Sequence, residues 1–150
     1  MLRIGRAVFE GEPGPFPNTR KELIHALRDL AKDLGVQGVH FIAAKKNFAG
    51  GYYNLRTQEI TTIVREGTRP VPRDLLLFRF LHELVHHIHI HSCLFSAHYY
   101  RRVQFQDGTW KEFTKEERKR TALRAERHAD RSAIKMAKVL YGIELELDHE

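Results

Sequence analysis

From Leu75 to Ile90 the chain is apolar on nearly every side. Wound at 3.6 residues per turn, Leu75, Leu76, Leu77, Phe78, Phe80, Leu81, Leu84, Val85, Ile88 and Ile90 surround the helix axis rather than forming one stripe. Such a helix has to lie at the centre of a domain, covered by other elements from more than one direction. Asp74, after Pro70 and Pro72, can cap its start, and the segment is expected to run from Leu75 to about His91. A chain of 150 residues can bury a core of this kind without crosslinks and is expected to form one domain, residues 1–150.

The remaining elements must supply the cover. Thr19 and Glu22 have capping-box spacing, and Leu23, Ile24, Leu27, Leu30, Ala31 and Leu34 recur at helical period until Gly35, which predicts an amphipathic helix. Residues 1–9, 37–43 and 59–65 have strand character, and Tyr52 to Arg56 can pair with 59–65 across Thr57-Gln58. Tyr99 to Phe113 alternates around Asp107-Gly108 and predicts a hairpin. Thr114 with Glu117 repeats the capping-box spacing and opens a helix that should stop at Gly142. The expected architecture is α+β: a central helix packed on a second long helix and on a short, mostly antiparallel sheet, with an amphipathic helix near the N-terminus.

No apolar run approaches the roughly 18 residues of a membrane span, and the first residues lack a signal peptide's apolar stretch, so a cytoplasmic protein is expected. One cysteine, Cys93, rules out a thiolate cluster, and any metal must be held by His, Asp or Glu. A formal charge of +6 favours acidic partners without selecting one.

Six of the ten histidines fall between residues 82 and 98 or just beside them, and the central helix contains His82-Glu83-x-x-His86. Four residues apart on a helix, the two imidazoles stack on one face about 6 Å apart and can reach one ion. This is the HExxH pattern, in which two neutral imidazoles and a third ligand hold zinc while the adjacent carboxylate, Glu83, takes a proton from water. In a chain this rich in histidine the pattern arises by chance roughly once in twenty sequences, so a third ligand has to be found.

The helix opened at Thr114 offers one. Projected at 100° per residue, Arg120, Arg124, Arg127, Arg131, Lys135 and Lys138 share one side. Ala122, Ala129, Ala133, Met136, Ala137 and Leu140 share the other, within about 80° of Glu126. Glu126 and Asp130 thus sit on the packing face, where two carboxylates lose hydration and repel unless something positive faces them. Zinc held by His82 and His86 would bind Glu126, and Asp130 could accept the free N–H of a ligand histidine. An ion pair with an arginine is the plainer alternative.

HELVH at 82–86 with ERHAD at 126–130 resembles the gluzincin metallopeptidases, and the short length, the elements ahead of HExxH and "GYYNLRTQEITTI" resemble the ImmA/IrrE family within that group. Val85 stands where many members carry glycine, and Ser132 where many carry phenylalanine. The resemblance implies zinc on His82, His86 and Glu126, Glu83 as catalytic base, and a zincin-like α/β peptidase fold. It also implies a sheet edge, assigned to residues 59–65, along which an extended substrate pairs, and a helix-turn-helix repressor as protein substrate.

Among the other histidines, His89 shares the face of His82 and His86, as an oxyanion donor or as a satisfied buried histidine. Tyr99 is the other named oxyanion candidate, beside Tyr52, Tyr53, Tyr100 and His98. His91 and His98 are alternative third ligands. His87 projects away from the metal face and His128 onto the basic face of its own helix, and Ser92 stands where a metzincin would have its third histidine. Two other functions stay open: a non-catalytic zinc protein binding nucleic acid through the basic helix face, and a metal-free domain whose histidines respond to pH.

Overall fold

The computed structural model describes residues 1–44, 50–90 and 93–146. In chain order the elements are β1 (Leu2–Ile4), β2 (Ala7–Phe9), α1 (Arg20–Asp33), β3 (Gly38–Ala44), β4 (Gly51–Asn54), β5 (Glu59–Glu66), β6 (Arg69–Pro70) and α2 (Arg73–His89). After a 3-10 turn at Cys93–Phe95 come α3 (Ser96–Tyr99), β7 (Arg102–Gln104), β8 (Trp110–Glu112) and α4 (Lys115–Tyr141). The architecture is α+β.

Local chemistry explains most of the boundaries. Thr19 accepts the Glu22 N–H at the start of α1, which buries Leu23, Leu27 and Ala31 and ends before Gly35 at φ +80°. A reciprocal capping box between Thr114 and Glu117 starts α4, and Gly142 at φ +66° stops it. At α2, Pro72 precedes the first turn with no side-chain cap, while Asp74 takes the N–H of its neighbour Leu75 from inside the helix. That helix therefore starts earlier than expected and ends at His89, with Ile90 as its C-cap. The opening segment is a hairpin, β1 paired antiparallel with β2, rather than one strand. Gly5 makes the turn: its φ is +56°, and a Cβ there would stand 3.1 Å from Ile88 Cγ2.

The main sheet departs from expectation in one respect that matters for the site. Its order is β3-β5-β4, with β3 parallel to β5, β4 antiparallel to it, and β6 joined antiparallel to the end of β5. Residues 59–65 therefore form the middle of the sheet, and its longest ladder is parallel. The cause is burial on both faces: Ile60, Thr61, Thr62 and Ile63 are all buried, the condition of a central strand. The edge beside the central helix is β4.

Against this sheet lies α2, whose Leu76, Leu77, Phe80, Leu81, Leu84 and Val85 are fully buried. On its other side α4 packs through Ala125, Ala129, Ala133, Met136 and Ala137. Small side chains along α4 let the two helix axes approach closely. The hairpin around Asp107-Gly108 is present as β7 and β8, but Tyr99 closes α3 instead of opening a strand, which turns it towards α2. No helix among the described residues is long and apolar enough to cross a membrane.

Candidate metal centre

The HExxH segment lies wholly within α2, so the helix repeat alone places the His82 and His86 rings side by side, with centroids 4.8 Å apart and Nε2 atoms 3.2 Å apart. From α4, Glu126 reaches across to both, Oε2 standing 2.8 Å from His82 Nε2 and Oε1 2.9 Å from His86 Nε2. One ligand atom from each of the three residues lies within 4.8 Å of the others, and the group could hold a metal ion.

Counting hydrogens shows why this group is short of positive charge. His82 Nδ1 lies 2.8 Å from Asp130 Oδ1; a carboxylate can only accept, so Nδ1 carries the hydrogen and Nε2 is left with a bare lone pair. His86 Nδ1 faces the Tyr99 hydroxyl at 3.3 Å, and that hydroxyl donates to the His86 carbonyl at 3.0 Å. His86 Nδ1 is then the donor to the Tyr99 oxygen, and its Nε2 is bare too. While both rings are neutral, two imidazole lone pairs and two carboxylate oxygens converge with no hydrogen between them, and either a proton taken up by a ring or a metal cation fills the gap. A cation bonded at about 2.0–2.1 Å to tetrahedral ligands sets those ligands about 3.3 Å apart, close to the separations found here.

The charges around the site act in the same sense. Burial alone would push the His82 imidazole down, yet the Glu126 contact and the charges of Glu83, Glu126 and Asp130 hold it above its ordinary value. Burial would raise the Glu126 carboxyl, and the hydrogen bonds and charges of His82 and His86 instead hold it well below the usual carboxylate range. The site attracts protons when nothing else neutralises it. Glu83 behaves differently: it is 8% exposed, its Oε1 lies 3.9 Å from His82 Nε2, and burial pushes its carboxyl up, partly opposed by His86 and His82.

No family model, curated protein or solved structure matches this chain.

An open cleft runs across the centre in two lobes that share Gly51, Glu83 and Glu126. One, of about 350 Å³, is walled by Tyr52, Tyr53, Leu55, His98 and Tyr99; the other, of about 330 Å³, by Leu75, Phe78, Arg79 and Asp130. Strand β4 forms the rim. Ile63 N–H donates to Gly50 O at 3.0 Å, so by the alternation of an antiparallel ladder Tyr52 pairs with β5, and the backbone groups of Gly51 and Tyr53 point to the free edge. Gly51 is also the residue the strand crossing demands, because a Cβ there would stand 2.5 Å from the Thr61 carbonyl oxygen.

The other histidines separate cleanly. His98 lines the cleft with Nε2 3.8 Å from Glu126 Oε1, outside the ligand group. His91 falls outside the described residues. His89 is absent from the cleft lining: it is buried against Phe95, its Nε2 2.9 Å from His128 Nε2, which favours the buried, packing histidine of its two readings over the oxyanion donor. His128, read as projecting to the basic face, is half-buried in that contact. His87 is buried, and it supplies a link the sequence did not reveal. Its Nε2–H donates to Leu34 O, and the Tyr53 hydroxyl donates to its Nδ1 at 2.9 Å, fixing the ring of Tyr53 at the rim. Only the Gly50-Gly51 pair before two tyrosines could have hinted at this edge.

Two expected outcomes follow. Asp130→Asn removes the charge behind the His82 N–H and should weaken metal binding about 10–100-fold; competition with a chromogenic chelator measures it, and unchanged affinity would deny Asp130 its supporting role. For His89, burial first, then the charges of His128 and His86, pulls the imidazole down to about 4. In the unfolded chain the group takes a proton that the folded protein refuses, so stability falls as pH drops from about 6.5 towards about 4, by up to about 3 kcal/mol. Urea unfolding at pH 7 and pH 4 should show a drop smaller by that amount in His89→Phe.

Proposed function

We propose that this chain is a zinc-dependent peptidase with a zincin-like active site, acting on an extended segment of a protein substrate. The observation that carries it is the convergence of two imidazole nitrogens and one carboxylate beside Glu83, in a cleft rimmed by a strand edge that no other strand among the described residues pairs. The donor set fits zinc, with His82, His86 and Glu126 holding it. When bound there, zinc supplies Lewis acidity towards a carbonyl and lowers the pKa of water.

The chain's own groups do the rest. Glu83 accepts a proton from the attacking water and delivers it to the leaving amine nitrogen; a carboxyl pushed up by burial is matched to that exchange near neutral pH. Gly51 and Tyr53 offer backbone N–H and C=O groups to the substrate main chain, which joins the sheet as an added strand outside β4. That arrangement lays a scissile bond between the two lobes, over Glu83.

For the oxyanion, His98 is better placed than Tyr99. The Tyr99 hydroxyl spends its hydrogen on the His86 carbonyl, whereas the His98 ring faces the cleft with Nε2 beside Glu126. The resemblance to ImmA/IrrE proteins makes a helix-turn-helix repressor the first substrate to try.

Protein purified without a histidine tag should carry about one zinc per chain, and cleavage of a repressor or an unfolded protein should stop on chelation and return with zinc. Metal-free protein as isolated, or turnover that survives chelation, would refute the reading.

A further inference from the structure

The cleft uses only one face of α4, and the opposite face carries charge that nothing in the site consumes. Residues 118–138 hold eight lysines and arginines against two acids, Glu126 and Asp130, both of which stand against His82. The surplus on this one stretch equals the +6 of the whole chain, so the positive charge is concentrated rather than spread. Arg120, Arg124, Arg127, Arg131 and Lys135 are all exposed. Among the described residues none of the five forms an ion pair, while Lys138, at the end of the row, is paired with Glu144 at 3.1 Å. Their three- and four-residue spacing makes a single row about 22 Å long with a cation roughly every 6 Å.

The β7–β8 hairpin meets the start of α4, where Lys111 pairs with Glu117 at 3.5 Å one turn before Arg120. Arg118 joins Arg101, Arg102, Glu112 and Phe113 in a groove of about 390 Å³ beneath the β7–β8 hairpin. On that hairpin Trp110 and Phe105 are 52% and 53% exposed, far more than large aromatic rings on a solvated surface usually are. The Arg102 guanidinium lies 4.4 Å from the centroid of the Trp110 ring and holds it in place. Flat rings held at the end of a cationic row match a ligand with a repeating negative backbone and stackable faces.

We infer that the outward face of α4 and the β7–β8 hairpin form a binding track for single-stranded nucleic acid, the arginine row taking the phosphates and Trp110 and Phe105 stacking on bases. An acidic protein would satisfy the cations but leave the rings unused. The track is separate from the cleft and does not depend on peptidase activity.

The test is anisotropy of a fluorescein-labelled twenty-residue oligothymidylate titrated with the full-length protein at 50 and 200 mM salt. Five phosphate contacts give a slope of log affinity on log salt of about −3.5, or about a hundredfold loss across that range. Arg124→Ala with Arg131→Ala should reduce the slope by about 1.4, and the corresponding lysine pair should keep it. Trp110 is the only tryptophan, so its fluorescence should be quenched on binding, and Trp110→Ala should weaken binding about tenfold. All these positions are exposed, and unchanged circular dichroism confirms that each variant folds. The inference is overturned by absence of binding at 50 mM salt or by a slope indifferent to the arginine substitutions. Equal affinity for polyglutamate, for acidic lipid vesicles or for duplex DNA, without tryptophan quenching, overturns it equally.

Discussion

Glu126→Ala should leave the protein unable to retain zinc, with affinity falling by more than the 10–100-fold that the loss of an outer partner costs. Two histidines on one helix would remain, and the only donor contributed by another element to that group would be gone. Because Glu126 ties α4 to α2 through the centre, metal loss should also appear as lost stability. Zinc at a thousand times its dissociation constant stabilises a fold by about 4 kcal/mol, which for a chain of this size is a melting temperature higher by roughly 8–16 °C. Wild type should show that gap on chelation and Glu126→Ala should show none.

The plain ion-pair reading of the same three residues predicts the opposite dependence on pH. Without metal, His82 has a folded pKa above its ordinary value, so its contribution is fully present below the ordinary histidine range and is lost as pH rises through the raised value. With zinc, the ligands must be deprotonated, and binding strengthens as pH rises. Calorimetric melting from pH 5.5 to pH 8 with and without zinc separates the two. Loss of stability with rising pH in the presence of zinc would leave only the ion pair.

The second large effect belongs to Glu83. Glu83→Gln keeps the size and burial of the side chain and removes its ability to accept a proton, so zinc content should stay at about one per chain while kcat falls by about 10²–10⁴, with KM little changed. The split follows from position: Glu83 borders both lobes of the cleft but lies outside the ligand group. A merely structural Glu83 would behave otherwise, because replacing a buried carboxyl whose pKa is raised by burial with a neutral amide should stabilise the fold and leave turnover intact. Retained kcat in this variant would remove Glu83 as the base.

Much of the centre was legible because its parts are local. His82 and His86 share a face by helical repeat, and Asp130 follows Glu126 by the same interval, so each pair needs only its own helix to form. That the two pairs meet was inferred from carboxylates set among alanines, which makes sense only where a positive group faces them. Tyr53 and His98 were harder: each belongs to the cleft through contacts with residues distant in sequence, and no spacing announces such contacts.

The β5 strand shows the boundary from the other side. Thr61 and Thr62 read equally well as a half-exposed edge or as a buried centre, since a threonine can lose its exposure when neighbours cover both faces. Helix periods, caps and the HExxH and Glu126–Asp130 intervals were set by the sequence itself, because they depend on residues within a few positions of one another. Which strand became the sheet edge, how closely α4 approached α2, and which histidine faced the cleft were decided only by the folded chain, because burial is a property of everything that packs around a residue.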